Sequence, residues 1–359
     1  DVYKRQGEEE EVVGEWLFGS TLRYDAGVPE CSHIHGTEPA SIDSFRPLVA
    51  KVEKIRRDGL VDGGSRWDKA RWESLAAPHA GAWLDAPPSR NLDCLLTNAE
   101  VRTRVGRRLG CELCNEAPCP LCLEVMDKWG AHAESCTCGG DKTLAHHSIR
   151  NDIYAHAKVC GTGPVLEAAG VLDTLGVEDT VGAATSRERP ADVLLCRSQD
   201  IKVGRYRGGF MGRVALDISI ICSQATSHIN SAAKEVCGAA EEYVRTKCSR
   251  ADIERRCEEV GVLFQPLIFE SLGGVSREAE LVIKSLNQAV ASATDSPYGE
   301  VATRFWQRIS IDIQRSQHRV FVRRVAGVAG SELLGSGGVF GSLGGLKSRG
   351  VCDRMAVSP

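Results

Sequence analysis

Between residues 111 and 138 the chain reads CELCNEAPCPLCLEVMDKWGAHAESCTC. A stretch so rich in thiols and turn residues has too few large apolar side chains for a core of its own, so it needs a clasp. A Cys-x2-Cys turn lets two thiolates reach one ion from adjacent backbone positions, and a second pair beyond a loop completes a tetrahedron. Cys119, Cys122, His132 and Cys136 form the neatest such set, C-x2-C-x9-H-x3-C. Cys111 and Cys114 stand as replacements for the first pair or as ligands of a second ion, and Cys138 lies beside them. A metal-free thiol cluster is the competing reading. The ion expected here is structural Zn²⁺, which keeps no open position when four protein ligands hold it. Such a site shapes a surface and does not catalyse.

The metal reading depends on the redox compartment. The chain holds 15 cysteines, and no basic segment followed by an apolar one stands near its start. No apolar run reaches the roughly 18–20 residues a membrane span needs. The expectation is an intracellular protein with reduced thiols, in which clustered cysteines favour metal over disulfides. Net charge is −4, so nucleic acid could be held only by local basic patches. Residues 1–6 read as a translated sequencing-adapter remnant, and the chain is expected to be a piece of a longer polypeptide.

Residues 7–110 read as a mostly helical segment with an acidic, solvated run at 8–11. Helices are expected at 45–58, 66–77 and 97–109, the last with Thr97 and Glu100 as a capping box. Residues 111–140 form the zinc knuckle, and 141–325 a second domain. In that domain helices are expected at 142–160, 164–173, 229–258, 276–291 and 298–316, and strands at 191–196, 213–222 and 262–269. The order predicts an α/β sandwich around a small mixed sheet. Residues 326–359, rich in Gly and Ser, read as a disordered tail.

Two aspartates interrupt strands. Asp192 sits in RPADVLL and Asp217 in VALDISII. A buried carboxylate needs a partner, and carboxylates on neighbouring strands can share Mg²⁺ or Mn²⁺. Alternatively Asp192 caps a turn and Asp217 pairs with Arg213. Lys247 continues the apolar stripe of Val236, Ala240 and Tyr243, where a lysine is out of place unless it faces charge. Lys234 falls on the other helix face. Glu167 could add a third carboxylate, while Glu270 reads as an ordinary strand-end residue.

Taken in order, APHAGAWL (77–84), RRLG (107–110), the CPLC…H…C…CGG segment, RPADV, ALDISI, YVRTK and FQPLIFESLGG resemble the C-terminal region of non-LTR retrotransposon polyproteins, over about residues 70–320. Those polyproteins carry a reverse transcriptase, a zinc knuckle and a restriction-like endonuclease of the PD-(D/E)XK type. The resemblance implies that fold and a metal-dependent DNA endonuclease serving element integration. Its Mg²⁺ or Mn²⁺ would sit on Asp192 and Asp217, with Glu167 assisting and Lys247, or Lys234, as the site lysine. It further implies Zn²⁺ on Cys119, Cys122, His132 and Cys136, nucleic-acid contacts by His146 and Arg150, a DNA target, the element RNA and an upstream reverse transcriptase as partners, no membrane, and the nucleus as compartment. Arg104, Arg107 and Arg108, with Arg102, are expected to grip phosphates from the basic helix. Two positions depart from the pattern: Ser219 stands where the usual lysine follows the second acid, and Ala145 where an arginine precedes the histidine. A catalytically inactive zinc-containing binding module from a decayed element is the alternative.

Overall fold

A computed structural model describes residues 59, 63–168, 171–172, 190–198, 201 and 212–328. The expectations for 1–6, 8–11, 45–58 and the tail beyond 328 lie outside the described residues.

The centre is a mixed sheet in the order β3-β4-β5-β6, with β3 Pro164–Leu166, β4 Val193–Leu195, β5 Arg213–Ile221 and β6 Val262–Glu270. The first two pairings are antiparallel and β5–β6 is parallel, with Asp217 opposite Pro266. Parallel neighbours need a crossover. Here it is α5 Ile229–Ala232, α6 Gly238–Ser249 and α7 Ile253–Glu259. Every residue of VLFQPLIFE in β6 is buried, as fits a strand covered on both faces. One face packs Val214, Leu216 and Ile218 against α4 Asp141–Val159, α8 Arg277–Thr294 and α9 Tyr298–Val328. On the other, Ala239, Ala240 and Val244 of α6 meet Ile221 and Ile268, and Cys257 of α7 meets Leu194, Ala215 and Phe264. The protein is thus an α/β sandwich, as its element order predicts.

Ahead of the sheet come α1 Arg66–Leu75 and α2 Asn98–Leu109. The capping box of α2 is present: Thr97 Oγ1 accepts from Glu100 N, and the Glu100 carboxylate accepts from Thr97 N. The cysteine-rich segment forms a β1 Ala117–Pro118 and β2 Val125–Met126 hairpin followed by α3 Ala131–Ser135.

Three expected elements differ. Residues 164–166 are a strand, not the start of a helix. Gly161 and Gly163 at φ 71° and 58° end α4, and Pro164 then pairs with Leu195. The helix expected over 229–258 is interrupted by left-handed backbone at Cys237, Ala251 and Asp252. Conversely α9 runs on to Val328, because Val320 and Phe321 pack on Ala133 and Arg324 is wholly buried.

Candidate functional site

In the cysteine-rich segment, the Cys119, Cys122 and Cys136 sulfurs and a His132 ring nitrogen all lie within 4.8 Å of one another. Cys122 Sγ is 3.2 Å from His132 Nε2 and 3.6 Å from Cys136 Sγ. A tetrahedral zinc with Zn–S bonds of about 2.3 Å sets its sulfurs about 3.8 Å apart. The donor set therefore fits that ion. Local geometry explains the convergence: Asp127 accepts from Trp129 N and Ala131 N at 3.0 Å and from His132 N at 2.5 Å, which caps α3 and aims His132. Cys111 is exposed, and Cys114 turns its sulfur to the Asp127 carbonyl at 3.6 Å. Neither joins the cluster.

The segment is expected to be a separate knuckle, yet it is bolted to the sandwich. Glu134 stands on α3 between two of the clustered side chains. Its carboxylate accepts from Arg104 Nη1 at 2.6 Å, Arg107 Nη2 at 3.1 Å and Ser271 Oγ at 2.6 Å. All three charged side chains are 1% exposed. Burial pushes the Glu134 carboxyl up, but the two guanidiniums and Ser271 outweigh it and hold it at about 2. At the module's other end Arg324 donates to Asp141 at 3.0 Å and to the Cys138 carbonyl at 3.1 Å.

This corrects the expectation for the basic helix. Arg104 and Arg107 are interior counter-charges to Glu134, out of reach of phosphate, and Arg108 donates to the Ala80 carbonyl at 2.9 Å. Of the expected group only Arg102 is exposed. Arg150 is likewise committed, paired with Glu167.

The acidic residues form a row across the sheet. One step beyond the Leu166–Val193 and Val193–Leu216 pairs, Glu167 N donates to Asp192 O and Asp192 N to Leu216 O, both at 2.9 Å. Glu167, Asp192 and Asp217 are therefore cross-strand neighbours. Asp192 Oδ2 accepts from Ile218 N at 2.6 Å and lies 2.9 Å from His146 Nε2 on α4. Lys247 Nζ reaches Asp217 from α6, at 2.9 Å from Oδ2 and 3.2 Å from Oδ1. Arg213 does not partner Asp217; it donates to the Val260 carbonyl at 3.1 Å. Burial raises the Asp217 pKa, and the neighbouring Asp192 charge adds to the rise against the pull of Lys247. Paired carboxylates on adjoining strands, beside a cleft of about 180 Å³ lined by Asp217, Lys247 and Arg250, are a donor set suited to a hard divalent cation.

Lys234 stays apart: it is exposed and lines another cleft with Arg66, Lys69 and Asn230. Glu270 is not an ordinary strand end. It is wholly buried, accepts from Ser74 Oγ and from Ala240 N at 3.1 Å, and burial pushes its carboxyl up. Sequence reasoning passed over Glu134 and Arg324. Its one available signal was Arg104 and Arg107 one helical turn apart, which suits a shared carboxylate as well as it suits phosphate. No protein-family model matches the chain, and neither does any curated protein or solved structure.

Proposed function

We propose that the chain is a metal-dependent DNA endonuclease with a PD-(D/E)XK-type fold and a structural zinc module, from the C-terminal region of a retrotransposon polyprotein. The observation that carries this reading is the convergence of Asp192 and Asp217 in strand register with Lys247 from the crossover helix. A mixed sheet between helical layers, with its acids on adjoining strands, agrees with that fold. Lys247 supplies, from α6, the cation that the family pattern otherwise writes at the position of Ser219. When bound, Mg²⁺ or Mn²⁺ supplies Lewis-acid polarisation of the scissile phosphate and acidifies water.

The side chains have separable tasks. Asp192 and Asp217 hold the cation. The Ile218 amide and His146 fix the Asp192 carboxylate, and Lys247 places its ammonium where negative charge grows on the phosphate. Glu167 draws Arg150 and His147 to the end of the row. Zn²⁺ on Cys119, Cys122, His132 and Cys136 rigidifies the module that Glu134 and Arg324 attach to the sandwich. A DNA target, the element RNA, an upstream reverse transcriptase and a nuclear setting go with this reading.

The experiment is incubation of the zinc-loaded full chain with supercoiled plasmid and Mg²⁺ or Mn²⁺. Divalent-dependent nicked circles are expected. Intact plasmid that nonetheless shifts on a gel would favour the second reading, an inactive binding module, which Ser219 in the lysine position supports.

A further inference from the structure

A second cleft, of about 400 Å³, opens between the zinc module and the C-terminal half of β5. Lys142, His146, Ser219, His228 and Tyr243 line it, and all are half-buried. Its one lining carboxylate is Glu134, whose charge is already spent on Arg104 and Arg107. Lys142 has no hydrogen bond or ion pair among the described residues, and burial lowers its pKa. The charges that oppose this are those of the thiols Cys222 and Cys136, with no carboxylate among them, and a half-buried ammonium so placed favours an anion. It lies close to His228, whose pKa burial lowers, with the Glu242 charge opposing and the charge of Lys142 adding to the fall. His228 and Tyr243 set an aromatic corner, ring centroids 5.6 Å apart at 86°.

The cleft touches the acidic row through two of its walls. His146 binds Asp192 at 2.9 Å, and Lys247, the partner of Asp217, sits 5.9 Å from the Tyr243 ring centroid. Its volume suits a small ligand of nucleotide size. A paired duplex is far bulkier than a single nucleotide and does not fit a cleft of this volume.

We propose that this cleft holds an unpaired nucleotide next to the scissile phosphodiester, with a backbone phosphate on Lys142 and the base against Tyr243 and His228. The proposal rests on the nuclease reading and names its substrate: nucleic acid that is locally single-stranded beside the cut. Charge-assisted contact to phosphate and sequence-tolerant stacking are the chemistry that binds such a strand.

The test uses the full chain, zinc-loaded, with a fluorescein-labelled oligothymidylate in Ca²⁺, read by anisotropy, beside a paired duplex of equal length. Lys142→Met is expected to weaken oligothymidylate binding by about tenfold or more, with Lys142→Arg keeping most of it and the duplex little affected. Methionine conserves volume and removes a costly buried charge, so the fold is retained, which circular dichroism and zinc content check. Equal oligothymidylate affinity in wild type and Lys142→Met overturns the proposal, as does no binding by wild type. The two readings fail separately. Lys142-dependent binding without plasmid nicking sinks the nuclease and keeps the cleft; nicking with Lys142-independent binding sinks the cleft and keeps the nuclease.

Discussion

Replacing Glu134 by Gln keeps its shape and removes its charge, leaving Arg104 and Arg107 buried at 1% exposure without the carboxylate they share. Removing one partner of a buried ion pair costs about 3–5 kcal/mol, because the other charge stays desolvated. The carboxyl itself gives an independent figure. It is held at about 2 against an ordinary 4.5, and at about 1.4 kcal/mol per pKa unit that difference is roughly 3 kcal/mol. The group is fully buried, so solvent screening takes little from it. A folded-state pKa below the unfolded one stabilises above the unfolded value, and that stability is lost as pH falls through the folded value. The contribution is therefore complete above pH 4.5 and disappears toward about pH 2. The assay is urea unfolding followed by far-ultraviolet circular dichroism, with zinc in excess, at pH 7 and at steps down to pH 3. Wild type is expected to exceed Glu134→Gln by about 3 kcal/mol or more at pH 7, with the gap closing in acid. A gap under about 1 kcal/mol, or one that does not change with pH, would refute the reasoning.

Other outcomes follow from the same contacts. Arg104→Met is expected to lower the urea midpoint while leaving DNA affinity per folded molecule unchanged, since no phosphate reaches Arg104; gel shift at matched folded fraction checks this. Chelation of zinc is expected to lower the thermal midpoint and to release the Glu134 and Arg324 contacts together, seen as raised amide exchange in α3 and at the α9 end. Because burial and Asp192 raise the Asp217 pKa, divalent-dependent nicking is expected to fall on mild acidification at a higher pH than for an ordinary aspartate; a pH–rate profile reads this, and Asp192→Asn should shift it downward in any residual activity. Lys247→Met is expected to lower the nicking rate by roughly 10²-fold or more with zinc content unchanged.

The strands were legible because β5 and β6 are dense in β-branched and apolar residues, and α2 because its cap is written in local residue types. Asp217 stood out as a charge inside an apolar run, and Lys247 as a cation on an apolar stripe. Both signals are local and survive without tertiary information. β3 was not legible: PVLEAAG has helical composition, and only pairing with β4 makes Pro164–Leu166 extended. The breaks within 229–258 rest on left-handed backbone at Cys237, Ala251 and Asp252; Gly238 marks the first of them, and no glycine or proline marks the second. The basic helix misled for a related reason. Charge pattern does not distinguish arginines facing phosphate from arginines facing a glutamate 30 residues away in Arg104–Glu134. The Cys119/Cys122/His132/Cys136 set is legible in its spacing, and the cluster's geometry agrees with it.

The most direct measurement is the single-turnover nicking rate of supercoiled plasmid in Mg²⁺ by wild type and by Asp217→Asn, both zinc-loaded and matched in circular dichroism. The account expects nicking by wild type that needs the divalent ion, and a fall of about 10²-fold or more in the variant. Equal rates in the two proteins, or a folded, zinc-bound wild type that leaves the plasmid closed, would contradict it.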